Sequence, residues 1–252
     1  MKTAFTTARV PLGRDLEFVI DGNSKITAEN GTADAPAPNA LSLPHISTCP
    51  GSTPVCREGC YVNNLERAGG TYADYVNNER VLHCILMTPA ARGVGGILAS
   101  WIRANVTSFR WHVSGDIFST RYARWINGVC EDAPEVRFWI YTRTFAALPH
   151  LTAFNLVVNI SADASNIDRA RAASARYGHR VCYFTRDGSL PELPEGSVVF
   201  PDYPLRGRDL EDPASAPWWQ GLPIAQRRMV CPADFFGQSE AHRCGPCRKC
   251  LV

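Results

Sequence analysis

The chain has 252 residues, of which 45% are hydrophobic, and its formal net charge is only +2 at pH 7. This composition allows one domain with a full core, and the near-neutral charge offers no electrostatic footprint for a nucleic-acid partner. No apolar run approaches the roughly 20 residues of a membrane-spanning helix, and the first residues lack a signal-peptide core. We therefore expect a cytoplasmic protein without a membrane partner.

The N-terminal segment predicts a β-hairpin followed by a linker. Residues 1–26 alternate polar and apolar side chains, and the Asp21-Gly22 pair is a common hairpin turn. Residues 28–40 are rich in small side chains and proline, which favours a loop. We assign residues 1–38 to this hairpin and linker.

Residues 39–230 alternate strand-like and helical segments. Six short apolar runs predict strands at 41–47, 109–115, 137–143, 155–161, 180–185 and 197–200. Helical spacing predicts helices at 71–87, 89–106, 117–130 and 164–178. Parallel strands need helical crossovers, so this order predicts an α/β fold with mostly parallel strands. Six strands favour a partial (β/α)6-type barrel over a closed barrel of eight.

Polar residues follow or end several of these strands. In parallel α/β folds ligands bind at the carboxyl ends of the strands, so these residues are candidates for a substrate or cofactor pocket. The alternative is that they only cap helices and turns. The predicted pocket residues are Ser114, Gly115, Asp116, Arg143, Asn159, Ser161 and Asp163.

Seven of the ten cysteines fall into two clusters, Cys49-x6-Cys56-x3-Cys60 and Cys231-x12-Cys244-x2-Cys247-x2-Cys250. In a reducing compartment, clustered cysteines indicate metal or redox chemistry. The C-x2-C-x2-C run is typical of ferredoxin clusters, whereas structural zinc more often uses separated C-x2-C pairs. Iron–sulfur is therefore favoured, with zinc as the alternative.

The two clusters allow three site models. The N-terminal cysteines can hold an open 4Fe-4S cluster while the tail closes a second one, or both segments can share one cluster. In the third model the tail is a zinc clasp. Because a short C-terminal segment is ordered only when it is tied down, we predict that residues 231–252 form a metal-binding tail packed on the barrel.

Five other residues are assigned to packing. We predict that Cys84, Cys130 and Cys182, which lie in apolar segments, are core residues. Trp218 and Trp219 are predicted to anchor a loop rather than to bind a ligand.

Several segments resemble a family of bacteriophage proteins, mostly from phages of actinobacteria, that is named after a mycobacteriophage gene product. The segments are LPHISTCPGSTPVCREGCYV, RWHVSGDIFS with YARW, FWIYTR, and the terminal CP…CGPCRKC. They cover roughly residues 41 to 250. The resemblance implies a phage-encoded cluster protein in the cytoplasm of the infected host, and it supplies no reaction.

A looser resemblance is to radical S-adenosylmethionine enzymes, which place three cysteines after the first strand of a six-stranded βα barrel. Their usual spacing is C-x3-C-x2-C with an aromatic residue before the last cysteine. This chain has x6 and x3, and Tyr61 follows Cys60. Ser114-Gly115-Asp116 is similar to a loose form of their Gly-Gly-Glu element.

Three functional hypotheses follow. The first is an iron–sulfur protein with one or two 4Fe-4S clusters that acts as a redox or radical enzyme, with S-adenosylmethionine as a further cofactor. The second is a non-catalytic iron–sulfur protein that regulates or exchanges electrons with a host or phage partner. The third is a zinc-clasped nucleic-acid-binding module. The sequence assigns no catalytic residue.

Overall fold

The computed structural model describes residues 7–13, 15–22, 26, 31–32, 35–60, 62–63, 71–202, 205–237, 239 and 242–251. Tyr61 and parts of the predicted linker (27–30 and 33–34) lie outside these residues. The chain divides into two compact units. The first comprises Met1–Ser52 and Cys60–Val158, and the second comprises Thr53–Gly59 and Asn159–Val252.

An antiparallel hairpin begins the first unit, as predicted, but its turn lies elsewhere. Strands β1 (Ala8–Pro11) and β2 (Glu17–Ile20) pair directly, and the Leu12 N–H donates to the Leu16 carbonyl (2.8 Å). Gly13 has a φ of 89° and supplies the left-handed residue that the turn needs. Asp21 forms an antiparallel bridge with Ala40 instead of a turn.

The predicted linker contains a small pair of strands. Strands β3 (Gly31–Thr32) and β4 (Ala35–Pro36) are two residues each and pair antiparallel.

The main sheet has six parallel strands, which confirms the predicted α/β class. They are β5 (Ala40–Leu41), β6 (Ser108–Trp111), β7 (Arg137–Thr142), β8 (Leu156–Ala162), β9 (Arg180–Thr185) and β10 (Val198–Pro201). Each strand lies beside its successor in the chain, in the order β10-β9-β8-β7-β6-β5. In a (β/α) barrel, too, each strand lies beside the strand that follows it in the chain. In the part of the chain that the structure describes, β5 and β10 are the edges of this sheet, as a partial barrel requires.

Helices connect these strands close to the predicted positions. They are α1 (Pro54–Glu58), α2 (Thr71–Leu86), α3 (Ala91–Asn105), α4 (Thr120–Glu131) and α5 (Ile167–Tyr177), with a 3₁₀ helix at Phe145–His150. Helix α4 begins later than predicted because the Ser119 hydroxyl accepts a hydrogen bond from the Tyr122 N–H (3.1 Å) and caps the helix. Helix α5 ends at Gly178, whose φ is 72°. No helix among these described segments is long and apolar enough to cross a membrane.

Among the residues that the structure describes, four short helices and a 3₁₀ turn follow β10. They are the turn Pro213–Ser215 and helices α6 (Pro217–Gly221), α7 (Ile224–Arg227), α8 (Pro232–Phe235) and α9 (Cys244–Cys247).

Aromatic side chains form the core of the first unit. Phe109 and Trp111 of β6 contact each other edge to face, with ring centroids 5.2 Å apart, and Trp111 also contacts Trp125 of α4. The Trp111 indole N–H donates to the Cys130 sulfur (3.4 Å), so Cys130 is a core residue, as predicted. Cys84 is exposed, and its assignment to the core was wrong: it lies on a different side of α2 from the buried residues of that helix.

The second unit has an apolar cluster on one side of β10. Val199, Val230 and Phe235 are buried there, with Trp218 and Trp219 packed against them. The Trp218 indole N–H donates to the Gly188 carbonyl (2.9 Å). These two tryptophans therefore anchor a loop, as predicted.

Candidate functional site

The loop that carries Cys49 packs on the carboxyl ends of β6 and β7 in the first unit. A Cβ added at Gly51 would lie 2.2 Å from the Arg143 carbonyl oxygen, and one at Gly115 would lie 2.7 Å from the Thr48 hydroxyl. Gly115 also has a φ of 82°. Both close approaches require glycine, and they place Cys49 at the edge of the sheet where ligands bind in parallel α/β folds.

Asp116 links the ends of the same two strands. Its carboxylate accepts hydrogen bonds from the Thr142 hydroxyl (2.6 Å) and from the backbone N–H groups of Ile117 (2.6 Å) and Arg143 (2.8 Å). Burial raises the pKa of Asp116, whereas these hydrogen bonds act to lower it. With three donors on its carboxylate, Asp116 holds β6 and β7 together.

Of the predicted pocket residues in the first unit, Asp116 and Arg143 are in direct contact. Arg143 meets Asp116 through its backbone and is itself almost fully buried. The Ser114 carbonyl accepts from the Leu43 N–H (2.9 Å), and its buried hydroxyl has no hydrogen-bond partner among the described residues. Cys60 belongs to this unit as well and is half-buried.

Two buried ionisable residues of the first unit were not predicted as site residues. Burial raises the pKa of Asp21 to about 7, although the Tyr75 hydroxyl donates to its carboxylate (3.2 Å). Burial and the nearby Arg110 lower the pKa of His112 to about 3, and its Nε2 lies 2.9 Å from the Tyr122 hydroxyl. His112 is therefore neutral at physiological pH.

In the second unit, helix α1 carries Cys56 to the carboxyl ends of β8 and β9. Thr53 caps the helix: its hydroxyl accepts from the Cys56 N–H (3.0 Å) and donates to the Asp163 carboxylate (2.5 Å). At the other end of α1, a Cβ on Gly59 would lie 2.8 Å from the Phe184 ring. Asp163, a predicted pocket residue, is fully buried and positions this helix.

A surface ion-pair network also holds α1. Arg186 contacts Glu58 of the helix (2.6 Å) and Asp202 beyond β10 (3.0 Å). Because Arg186 and Glu58 are exposed, this network contributes little stability.

The strand register of the second unit defines a face that we call the thiol face. Ser161 of β8 pairs with Cys182 of β9, and Cys182 pairs with Val198 of β10. Paired residues of parallel strands point to the same side, and residues two apart share a side, so Asn159 and Arg180 lie on this face as well. Two predicted pocket residues, Asn159 and Ser161, therefore share a face with Cys182.

Cys231 points to the thiol face. Val230 forms a parallel bridge with Val199, and both side chains are buried in the apolar cluster. The Cys231 N–H donates to the Val199 carbonyl (2.8 Å). Because side chains alternate along extended chain, Cys231 points away from that cluster, to the same side as Val198.

Cys250 is held at the thiol face by its backbone. The Asn159 amide donates to the Cys250 carbonyl (3.2 Å), and the Arg180 guanidinium donates to the Lys249 carbonyl. The Lys249 ammonium in turn donates to the carbonyls of Arg228 (2.8 Å) and Val230 (3.0 Å). These contacts fasten the tail to β8, β9 and the segment that carries Cys231.

The sulfur of Cys182 completes this cluster of thiols. It lies 3.6 Å from the Asn159 side-chain oxygen, and the Cys250 thiol is close enough to act on its pKa. Burial raises the pKa of Cys182 well above its ordinary value, and the neighbouring Cys250 and Cys231 raise it further. The sequence prediction assigned Cys182 to the core because its strand is apolar, and only the register could reveal its neighbours.

Cys244 and Cys247 lie at the two ends of α9 and are half-buried. Arg248 follows with a φ of 52°, and its N–H donates to the Cys244 carbonyl (2.8 Å), which turns the chain towards Cys250. Within the described ranges, no three His, Cys, Asp or Glu side chains are grouped closely enough to hold a metal ion.

The donor set of the second unit nevertheless suits a thiolate-bound cluster. All ten cysteines lie among the described residues, and none forms a disulfide. Cys182, Cys231 and Cys250 are buried, and Cys231, Cys250 and Arg180 are close enough to Cys182 to shift its pKa. A cationic side chain beside several thiols stabilises an anionic thiolate cluster.

The chain is similar to known phage proteins. The family model described as "Gene product 88" matches residues 16–252. The "Gene 88 protein" of Mycobacterium phage L5 is 30% identical over 154 residues, which are 57% of this chain and 64% of that protein. The "Gene 88 protein" of Mycobacterium phage D29 is 29% identical over 185 residues, or 69% of this chain and 74% of that protein.

No solved structure matches the chain. The resemblance to radical S-adenosylmethionine enzymes has no support among these matches. The match of the family model to nearly the whole chain shows that this protein belongs to the Gene product 88 family, a family of phage gene products.

Proposed function

We propose that this phage protein binds a 4Fe-4S cluster through its cysteine-rich tail and acts as a redox protein. The observation that carries the proposal is that Cys231 and Cys250, which are distant in the sequence, are both buried and close enough to Cys182 to shift its pKa, and that Cys250 closely follows the Cys-x2-Cys turn of α9. Four clustered tail cysteines, two buried and two half-buried and none in a disulfide, favour metal binding over packing.

The tail residues have distinct roles in this proposal. Cys231, Cys244, Cys247 and Cys250 supply thiolates, and a bound cluster supplies one-electron chemistry. Asn159 fixes the backbone of Cys250, and Arg180 brings positive charge to the buried thiols. Hydrogen bonds and charges of this kind tune the reduction potential of a cluster.

A radical enzyme is the second candidate. It is favoured by the position of the Cys49 loop, which packs on the carboxyl ends of β6 and β7 in a sheet of sequential parallel strands. S-adenosylmethionine would bind there, close to Ser114 and Arg143. Asp116 is a poor ligand for that cofactor because three protein donors already occupy its carboxylate.

Metal and sulfide analysis tests the proposal. The protein is purified anaerobically, and iron, acid-labile sulfide and zinc are measured per chain. About four irons with equal sulfide support one cluster, and about eight support a second cluster on the N-terminal cysteines. Zinc without sulfide would overturn the iron–sulfur proposal and favour the zinc clasp.

Two variants test whether the cluster is bound by the tail. Cys250→Ala is expected to lose iron and sulfide, whereas Cys84→Ala, which changes an exposed cysteine of α2, is expected to retain both. Equal retention in the two variants would contradict the assignment to the tail. Formation of 5′-deoxyadenosine from S-adenosylmethionine by the reduced protein would decide for the radical enzyme.

A further inference from the structure

The second unit separates its charged residues along the chain. Three of its segments, residues 174–181, 228–231 and 247–251, contain five Arg and Lys residues and no Asp or Glu. The remainder of the unit contains twelve Asp and Glu residues and eight Arg. The near-neutral charge of the whole chain therefore conceals three purely basic segments.

Hydrogen bonds bring these three segments together. The Arg180 guanidinium donates to the Lys249 carbonyl, and the Lys249 ammonium donates to the Arg228 carbonyl (2.8 Å). Arg248 directly precedes Lys249, and Arg176 lies in the last turn of α5, four residues before Arg180. The surface that results is called the basic face, and it comprises Arg176, Arg180, Arg228, Arg248 and Lys249.

Three arginines of the basic face carry exposed charge without a counter-charge. Arg176, Arg228 and Arg248 are exposed, and within the described ranges none of their guanidinium groups forms an ion pair. Elsewhere in the unit, by contrast, Arg171 pairs with Asp168. Like charges collected on one surface attract a polyanion, whose phosphates replace the small counterions.

An aromatic pair lies beside these cations. The rings of Tyr177 and His179 are stacked, with centroids 6.1 Å apart and planes inclined by 23°. The Arg176 guanidinium lies 5.2 Å from the centre of the Tyr177 ring. Both rings are half-buried, so part of each is open to solvent. Proteins that bind single-stranded nucleic acid combine cationic side chains for the phosphates with aromatic rings on which bases stack.

We propose that the basic face binds single-stranded nucleic acid. Arg176, Arg228 and Arg248 contact the phosphates, and a base stacks on the pair formed by Tyr177 and His179. A duplex fits this face less well, because its bases are already stacked on one another and cannot reach the rings. The face needs no bound cluster, since hydrogen bonds within the chain hold its segments together.

Fluorescence anisotropy tests this proposal on the full chain, with a labelled oligothymidylate of about 20 nucleotides and a dA·dT duplex of the same length. The triple variant with Arg176→Gln, Arg228→Gln and Arg248→Gln is expected to raise the dissociation constant at least about tenfold. It is also expected to reduce the slope of log K against log salt by about 2, because each phosphate contact of a single strand adds about 0.7. Arg180 and Lys249 stay unchanged, since their side chains hold the segments together.

The matched control removes the same charge from exposed arginines of the first unit, through Arg92→Gln, Arg124→Gln and Arg137→Gln. It is expected to bind as tightly as the wild type and with the same salt slope. If the triple variant of the basic face does not fold by circular dichroism, Arg248→Gln alone decides, with a slope reduced by about 0.7.

The variant Tyr177→Leu tests the stacking separately. It keeps an apolar side chain but removes the ring, so binding of the single strand is expected to weaken about fivefold with an unchanged salt slope. Equal losses in the two triple variants, or no salt-dependent binding by the wild type, would overturn the proposal. Tighter binding of the duplex than of the single strand would overturn it as well.

Discussion

The Thr53 hydroxyl donates a 2.5 Å hydrogen bond to the Asp163 carboxylate and thereby fastens the first turn of α1 to the end of β8. The same hydroxyl accepts from the Cys56 N–H, so one side chain caps the helix and anchors it. The position of Cys56 depends on this contact more than on the exposed pair of Arg186 and Glu58.

Thr53→Val removes the hydroxyl and is expected to lower the free energy of unfolding by about 1–2 kcal/mol, because a helix cap and a part-buried hydrogen bond to Asp163 are lost. Urea denaturation monitored by circular dichroism measures the change. Thr152→Ala, at an exposed threonine, is the control and is expected to change stability by less than about 0.5 kcal/mol. Equal effects of the two variants would show that Thr53 does not anchor α1.

Gly51→Ala is expected to destabilise the protein by at least about 2 kcal/mol, because the new methyl group would overlap the Arg143 carbonyl. The matched control is Gly93→Ala in α3, where nothing lies within 4 Å of an added Cβ. That variant is expected to be more stable than the wild type by up to about 1 kcal/mol, since alanine favours helix. If the Cys49 loop packs as described, thermal unfolding will show a lower melting temperature than the wild type for Gly51→Ala and a higher one for Gly93→Ala.

Asp21 gives the stability a pH dependence of known sign. Burial raises its pKa to about 7 in the folded chain from an ordinary value of 3.8, so the folded state holds the proton more tightly. The stability from this group is fully present below about pH 4 and is lost as the pH rises towards 7. In urea denaturation, the wild type is therefore expected to lose about 2 kcal/mol relative to Asp21→Asn between pH 5 and pH 8.

The control for this pH dependence is Asp15→Asn, which changes an exposed carboxylate of the same hairpin. It is expected to follow the wild type across the whole pH range. If the free energies of unfolding of the wild type and Asp21→Asn differed by the same amount at every pH from about 5 to 8, burial would not have raised the pKa of Asp21.

The cysteines should react with iodoacetamide in a definite order. Cys84 is exposed and is expected to be alkylated first, whereas Cys130 is fully buried and burial raises its pKa well above its ordinary value. Since the thiolate is the nucleophile, Cys130 should remain unlabelled until the chain unfolds. Mass spectrometry of timed samples checks the order, and early labelling of Cys130 would contradict its place in the aromatic core.

Much of the fold was predictable because local pattern determines it. The six strands are short apolar runs, and their alternation with helical segments is enough to indicate a parallel sheet. The hairpin turn was placed at Asp21-Gly22 by a common sequence signal, but the bridge between Asp21 and Ala40 is a non-local contact that this signal does not contain.

The site was harder to predict, since it depends on which face of an element a side chain occupies. Cys84 and Cys182 both lie in apolar segments, yet one is exposed and the other joins two distant cysteines. Strand register decides the second case, and register is fixed only when β8, β9 and β10 have paired. The role of Asp163 as an anchor for α1 could not be predicted either, because it depends on a hydrogen bond with Thr53, which is distant in the sequence.

The two single-residue bridges at the outer strands have a consequence for solubility. Asp21 pairs with Ala40 of β5, and Val230 pairs with Val199 of β10, so a segment of the chain's own backbone covers part of each outer strand. Bare outer strands invite pairing with other molecules and can start aggregation. These two short contacts therefore leave less of each outer strand open to pairing with another molecule.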